Sequence, residues 1–455
     1  MLEPKTAGCV AMPRARVLAW RFCRLSGAAA GWVRRVRVGL HMPASRSASE
    51  SSAGENVQAP GAVAFSATPA RVHTQRFSVQ VEYPVVFTEE VLEVTNADLL
   101  WALTHREPGR RHRAFVVLDA GLVAAWPSLV GQVDAYFQAH STSLELAAKP
   151  QILPGGEACK NDPGLIQQLH QQFQAAHIDR HSFVLCFGGG ALQDAVGYAA
   201  ATAHRGLRMV RLPTTVLGQN DSGVGVKNGI NAFDTKNFLG TFAPPWAVVN
   251  DLSFLTTLER RDRVAGMAEA VKVALIRDGE FFEWLDQNSS QLRAFEPAAV
   301  AHLVRRTAEL HLAHIATSGD PFETGSARPL DYGHWAAHKL ESMTNYELRH
   351  GEAVAIGLAL DSLYSAGMGL LPCSDARRIC DLLRQLGFTL EHPALERWVD
   401  GRPQVLDGLA EFREHLGGEL TLTLLRGIGS ALEVHDVNDE VMLKSLAQLN
   451  SALGA

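Results

Sequence analysis

The stretch Asp331-Tyr-Gly-His334-Trp-Ala-Ala-His338-Lys-Leu-Glu341, followed by His350-Gly-Glu352, gathers three histidines and four acids within 22 residues. Imidazole nitrogens and carboxylate oxygens are donors that suit divalent transition metals. The pattern predicts a helix, and residues four apart project from the same face. His334 and His338 therefore point into one cavity, with His350 arriving from a loop or from the start of the next helix. Such a site needs a further group. Within Arg263-Val-Ala-Gly-Met-Ala-Glu269-Ala-Val-Lys272, Glu269 and Lys272 share one face of an otherwise apolar helix, and a charge there must be paired or bind a metal. Glu269 with His334 and His350 makes a His2Glu set with open positions, the pattern of a catalytic zinc. The alternative takes His338 as third ligand, and spacing alone leaves both open.

A second group of residues suits phosphate and hydroxyl chemistry. Gly188-Gly-Gly190-Ala-Leu-Gln-Asp194 follows a strand and opens a helix, so the backbone can approach a phosphate at a helix N-terminus. Thr214 and Thr215 stand at the end of the next strand, where open α/β sheets bind ligands. The run from Gln219 to Asn237 carries Asp221, Lys227, Asn231, Lys236 and Asn237, and is too polar and Gly-rich for a core element. Lysine supplies charge for phosphate, and Asp and Asn pair with hydroxyls.

Around these residues the chain reads as two halves. Phe77–Tyr83 alternates like a half-buried strand, whereas Ala114–Leu118, Gln151–Leu153 and Phe183–Phe187 read as short buried strands. Helices are expected at Leu129–His140 and Pro163–Ala176, the second capped by Asp162. Amphipathic segments at 262–286, 296–317, 331–342, 351–368, 374–386 and 439–453 follow, with one clear strand at Leu420–Leu425. The fold class expected is α/β plus all-α: a Rossmann-like domain over 76–255, then a mainly helical domain over 256–455 that carries the histidines.

Residues 1–75 are expected to be a disordered or mis-assigned extension, with Met42 as a later start. The first 47 carry nine Lys or Arg and one acid, and a Ser, Ala, Gly and Pro-rich tract follows. A net charge of −6 argues against nucleic-acid binding, and no apolar run is long enough to span a bilayer. Six cysteines without a Cys-x-x-Cys pair fit a reducing compartment, hence the cytoplasm.

Taken together, these motifs resemble the sugar phosphate cyclases of the dehydroquinate synthase family over about residues 110 to 430. The resemblance rests on Gly188-Gly-Gly190 with Asp194, His204-Arg205-Gly206, Pro213-Thr-Thr215, Asp221, Val224-Gly-Val-Lys227 and Lys236-Asn237. It continues through Ala268-Glu269-Ala-Val-Lys272, Gly333-His334-x-x-x-His338 and His350-Gly-Glu352. It implies Glu269, His334 and His350 as ligands of zinc, with cobalt as the alternative, and His338 as a proton-transfer group. It implies NAD along Asp119, Glu157, Lys160, Gly189, Gly190, Asp194, Thr214, Thr215 and Thr257. Asp221, Lys227 and Lys272 would act on a sugar phosphate held by Lys236, Asn237, Asn231 and Asp331. Arg205 would reach the phosphate of a neighbouring subunit, implying a homodimer. The implied reaction oxidises a hydroxyl with NAD, eliminates phosphate, reduces the ketone again and closes a carbocycle by an intramolecular aldol step.

Three departures from the family pattern concern the substrate. Asp331 stands where dehydroquinate synthase has Asn, His311 where it has Lys, and the arginine in Ser326-Ala327-Arg328-Pro329 is displaced by one. An acid for an amide and a moved cation weaken anion binding at the end that carries the substrate carboxylate. Arg413 replaces a family lysine. The Asp331-Tyr-Gly-His-Trp segment resembles cyclases of bacterial Ebo clusters and valiolone-type synthases, whose substrate, sedoheptulose 7-phosphate, lacks that carboxylate. A glycerol dehydrogenase-like alcohol dehydrogenase is the competing enzyme class.

Overall fold

The computed structural model describes residues 74–233, 235–317, 322, 329–415 and 418–451. The expected extension, apart from its last two residues, and the displaced Arg328 lie outside them. The chain from Ser78 onward packs as one compact unit.

Its first half comprises β1 (Val85–Thr88), α1 (Asp98–Thr104), β2 (His112–Asp119), α2 (Ala120–Ala125), α3 (Leu129–Ala139), β3 (Leu144–Leu146), β4 (Gln151–Leu153), α4 (Pro163–Ala175), β5 (Phe183–Gly188), α5 (Gly190–Thr202), β6 (Arg208–Pro213), an antiparallel hairpin of β7 (Lys227–Ala232) and β8 (Thr235–Phe242), and β9 (Ala247–Asp251). Apart from the hairpin, the strands form one sheet in the order β1-β9-β6-β5-β2-β3, with β4 also on β2, and every pairing is parallel. Both faces are covered, and alternate side chains feed opposite layers. Ala114, Val116 and Leu118 of β2 join the core under α1 to α3, while Phe115 and Val117 join the one under α4 and α5. From β2 the chain moves to β3 and β4 on one side, then crosses to β5 and on to β6. The crevice at the carboxyl ends of β2 and β5 is thus the topological switch point, where such sheets take ligands.

The second half is helical: α6 (Arg260–Ala265), α7 (Met267–Arg277), α8 (Gly279–Gln287), α9 (Ser289–Arg293), α10 (Pro297–Thr317), α11 (His334–Met343), α12 (His350–Gly367), α13 (Cys373–Leu386), α14 (Asp407–His415) and α15 (Asp439–Asn450). Its core runs through α7, α11, α12 and α13, and α7 and α12 are buried nearly all round. An antiparallel hairpin, Leu422–Gly427 with Ser430–Val434, packs onto it.

The structure corrects several expectations. Phe77–Tyr83 is not a strand. Phe77, Val79 and Val81 are exposed, and the edge of β9 is paired instead by Val85–Thr88. Alternation without a ladder partner does not make a strand. The single helix expected over 262–286 is three. Gly266 separates the first two, and a Cβ there would lie 2.5 Å from Leu217 N; Asp278 separates the next two by capping Phe281 N at 3.0 Å. The polar run is partly core after all, since Gln219, Asn220 and Asn228 are buried. Their amides satisfy backbone carbonyls: Gln219 donates to Pro213 and Asp251, and Asn220 to Gly266.

Candidate active site

His334 opens α11 and His350 opens α12, so both imidazoles stand at helix starts beside the buried helix α7 that carries Glu269. Gly333, at φ +77°, makes the turn into α11, and a Cβ there would come within 2.8 Å of Leu358 N. Asp361 on α12 pins this turn by accepting from Gly333 N at 3.0 Å and Trp335 Nε1 at 2.9 Å. The His350-Gly-Glu352 motif has equally physical reasons. Gly351 lets α12 meet the end of α6, since a Cβ would lie 1.8 Å from Ala265 O, and Glu352 caps Arg349 N at 2.9 Å.

Glu269 is fully buried, and its Oε1 accepts no hydrogen bond. His334 Nε2 and His350 Nε2 each lie 3.6 Å from that oxygen, and donor atoms of all three residues fall within 4.8 Å of one another. These separations are too long for hydrogen bonds. Two nitrogens and a hard oxygen around one point, with a buried carboxylate oxygen left without a donor, fit a divalent metal. His338, one turn after His334, is exposed, with its ring centroid 5.5 Å from that of His334 and 6.1 Å from that of His350.

Buried charges surround this point. Lys272 forms a contact ion pair with Glu269. Burial pushes the Glu269 carboxyl up, but Lys272 and His350 outweigh it and hold it at about 2. Burial likewise lowers the Lys272 ammonium, and Glu269 and Asp221 more than restore it. His334 is driven well below the usual imidazole range by burial, then by Lys272 and the other histidines. His350, despite burial, is raised to about 9 by Glu341 and Glu269. Asp221 lies 3.0 Å from His311, and His311 with Lys272 keeps its carboxyl low against burial. Asp331 is half-buried in the short turn Pro329–Asp331, and it too raises Lys272.

Most residues expected to hold a nucleotide gather at the sheet's carboxyl edge. Asp119 ends β2 and caps α2, accepting from Gly121 N at 2.7 Å, and Gly155 lies so close that a Cβ would sit 1.8 Å from its Oδ2. Gly189 and Gly190 begin α5, where a Cβ on Gly190 would meet Ser222 Oγ at 2.5 Å. Thr214 N donates to Gly188 O at 3.0 Å, and Thr215 Oγ1 accepts from Gly218 N at 3.0 Å. Lys160 is buried against Asp194 at 3.0 Å and touches Asn237 Oδ1. Asn231 donates to Glu157 at 3.1 Å and accepts from Asn237 N at 2.8 Å. Glu157, Lys160, Asp194, Asn231 and Asn237 are thus one polar cluster. The π-helical turn Gly218–Ser222 joins the two sides, since Ser222 packs on Gly190, Asn220 holds Gly266 before α7, and Asp221 faces Lys272.

Three predicted residues lie on further elements. Thr257 spends its hydroxyl on Phe254 O at 2.7 Å, within its own turn. Lys227, exposed, begins β7. Arg205 is exposed, just past the C-terminal end of α5, a helix of 13 residues about 20 Å long. Two residues escaped sequence reasoning. Glu341 follows His334 by seven positions and His338 by three, so the helical period already placed it on their face. Arg211, fully buried in β6, gives its guanidinium to the carbonyls of Ser222, Gly223, Gly225 and Lys227 and to Asn228 Oδ1. It holds the loop that bears Asp221 and Lys227, and nothing in a strand reading marks it.

Comparison with known proteins agrees with this geometry. Residues 151–265 match the 3-dehydroquinate synthase N-terminal family and residues 266–401 the 3-dehydroquinate synthase C-terminal family. The 3-dehydroquinate synthase of Ruegeria sp. (strain TM1040) is 37% identical over 298 residues, which are 65% of this chain and 79% of the relative. ValA, a 2-epi-5-epi-valiolone synthase from Streptomyces hygroscopicus subsp. jinggangensis 5008 solved with NAD+ and Zn2+ bound, aligns with TM-score 0.73 and 30% identity over 84% of this chain and 99% of its own. A 2-deoxy-scyllo-inosose synthase shares the fold at TM-score 0.64 and 21% identity, over 80% of this chain and 96% of its own. The chain belongs to the 3-dehydroquinate synthase family and is a sugar phosphate cyclase of that type, a lyase.

Proposed function

We propose that this cyclase uses NAD and zinc, with cobalt able to stand in, to turn a seven-carbon sugar phosphate into a carbocycle with loss of phosphate. The observation that carries the reading is the Glu269, His334 and His350 donor set, linked through the turn Gly218–Ser222 to Gly190 at the switch-point crevice. Bound there, the metal would draw charge from a substrate hydroxyl and NAD would take up and return a hydride. Asp119, Glu157, Lys160, Gly189, Gly190, Asp194, Thr214, Thr215 and Thr257 are the residues that hold the nucleotide. Lys227, Lys236, Asn231 and Asn237 orient phosphate and hydroxyls, and Lys272 keeps the metal-side acids ionised. His338, exposed beside both histidine ligands, moves a proton. Arg205, exposed past the C-terminal end of α5, reaches the phosphate held by a second copy, which makes the enzyme a homodimer. Free cysteines at Cys159, Cys186, Cys373 and Cys380 suit the cytoplasm.

The substrate has two readings. Kinship to the 3-dehydroquinate synthases favours 3-deoxy-arabino-heptulosonate 7-phosphate. Asp331 near Lys272, and His311 already engaged with Asp221, favour a substrate without a carboxylate at that end, such as sedoheptulose 7-phosphate. Purified protein with NAD and zinc is offered each substrate separately, and phosphate release and product mass are followed. Release from one, with NAD needed only in trace, identifies it. Release from neither rejects both substrates, and steady NADH accumulation from an alcohol without phosphate would instead indicate a glycerol dehydrogenase-like enzyme.

A further inference from the structure

Glu341 is a buried acid of the histidine stretch that lies outside both the Glu269, His334 and His350 donor set and the family motifs quoted above. It is 3% exposed. Its Oε2 lies 3.3 Å from His350 Nδ1, and its Oε1 accepts from Lys236 Nζ at 2.8 Å. Lys236 comes from β8, 105 residues earlier, so the pair spans from the hairpin to the helical half. The other nitrogen of His350 faces Glu269 Oε1 at 3.6 Å. The imidazole is therefore held between two carboxylates, one on each nitrogen. An imidazole that ligates through one nitrogen must carry its proton on the other, and the partner of that N–H decides the tautomer and the ring orientation.

We propose that Glu341 is a positioning residue of the metal centre: it fixes His350 with Nδ1–H toward its own carboxylate and Nε2 toward Glu269 and His334. Its second oxygen ties Lys236, a substrate-side cation, to the same point. The donor atoms of His338, Glu341 and His350 also fall within 4.8 Å of one another, which would otherwise read as a second cation site. The Lys236 ammonium, already on Glu341, opposes another cation there by like-charge repulsion.

The proposal rests on the metal reading above. Zinc affinity is measured by chelator competition for the wild-type chain and for Glu341→Gln, Glu341→Asp and Lys236→Met, with the chelated proteins' melting temperatures as the folding control. Glu341→Gln, whose amide is the weaker acceptor for His350, should bind zinc about 10- to 100-fold more weakly. It should also shift the visible bands of the cobalt-loaded protein, while Lys236→Met stays within about threefold of wild type. If Glu341→Gln does not fold, Glu341→Asp, with the carboxylate drawn back by one methylene, carries the same comparison. Unchanged zinc affinity in the folded variant overturns the proposal. So does an equal loss in Lys236→Met, or a second zinc per chain that vanishes with Glu341. A wild-type chain that binds no zinc would sink the metal reading itself, a different failure.

Discussion

Lys272→Met separates the two partners that Glu269 can have. In the metal-free chain Glu269 is fully buried and Lys272 is 3% exposed, three residues apart on α7 and in contact. Methionine keeps roughly the length of the lysine stem and removes the charge. Breaking a buried ion pair costs about 3–5 kcal/mol, because the remaining charge is left uncompensated. His350, raised to about 9, is still cationic at neutral pH and covers part of the loss, so the lower end, about 3 kcal/mol, applies. At about 2.1 cal/mol/K per residue over about 380 residues, the unfolding entropy is about 0.8 kcal/mol/K, and the melting temperature should fall by about 4 °C. The assay is thermal unfolding at one scan rate, with chelator and with saturating zinc. A metal on Glu269 replaces the missing positive charge, so zinc should raise the variant by more than it raises the wild type, recovering most of the 4 °C. Two results would refute the reasoning. A chelated variant that melts with the wild type means that Lys272 does not stabilise Glu269. Equal zinc shifts in both mean that Glu269 is not a ligand.

Gly351→Ala should cost about 1–3 kcal/mol or more, because its Cβ would lie 1.8 Å from the backbone oxygen of Ala265, and moving α12 displaces His350 next to it; chemical denaturation and zinc titration read both effects. Asp361→Asn keeps the shape but sets an amide N–H against Gly333 N–H or the Trp335 indole, at about 1–3 kcal/mol by denaturation near pH 7. Burial holds the Asp361 carboxyl up at about 7, against about 3.9 for a free carboxyl. The folded chain then keeps a proton that the unfolded chain releases from about pH 4 upward, so this group's contribution to stability declines as pH rises to about 7 and is flat above. Asp361→Asn should lack that slope.

Much of the fold was legible because parallel strands buried on both faces leave continuous apolar runs, as in Ala114–Leu118 and Phe183–Phe187. What failed was local pattern without a partner. Phe77–Tyr83 has the right alternation, but only a free sheet edge makes a strand, and Val85–Thr88 takes the edge of β9. The break at Gly266 was equally hidden. It exists because Val216 and Leu217, 50 and 49 residues earlier, press on that glycine.

The site divides along the same line between local and distant causes. His334, His338 and Glu341 share a helical face, so spacing alone could group them, and Glu269 with Lys272 stood out as charges on an apolar face. Which acid serves which histidine depends on the third dimension: Glu269 faces Nε2 of His350 and Glu341 faces Nδ1, although only Glu341 is near it in sequence. The tryptophan of Asp331-Tyr-Gly-His-Trp shows the same limit. Its Nε1 bonds to Asp361, 26 residues on, and Tyr332 OH bonds to Ser362 at 2.7 Å, so the turn bearing Asp331 and His334 is clamped onto α12. The bonds hold Tyr332, Gly333 and Trp335, the residues that follow Asp331, against α12. With the backbone on its C-terminal side held in this way, Asp331→Asn should change charge rather than position, and a shift of turnover toward the carboxylate-bearing substrate would tie substrate choice to this residue.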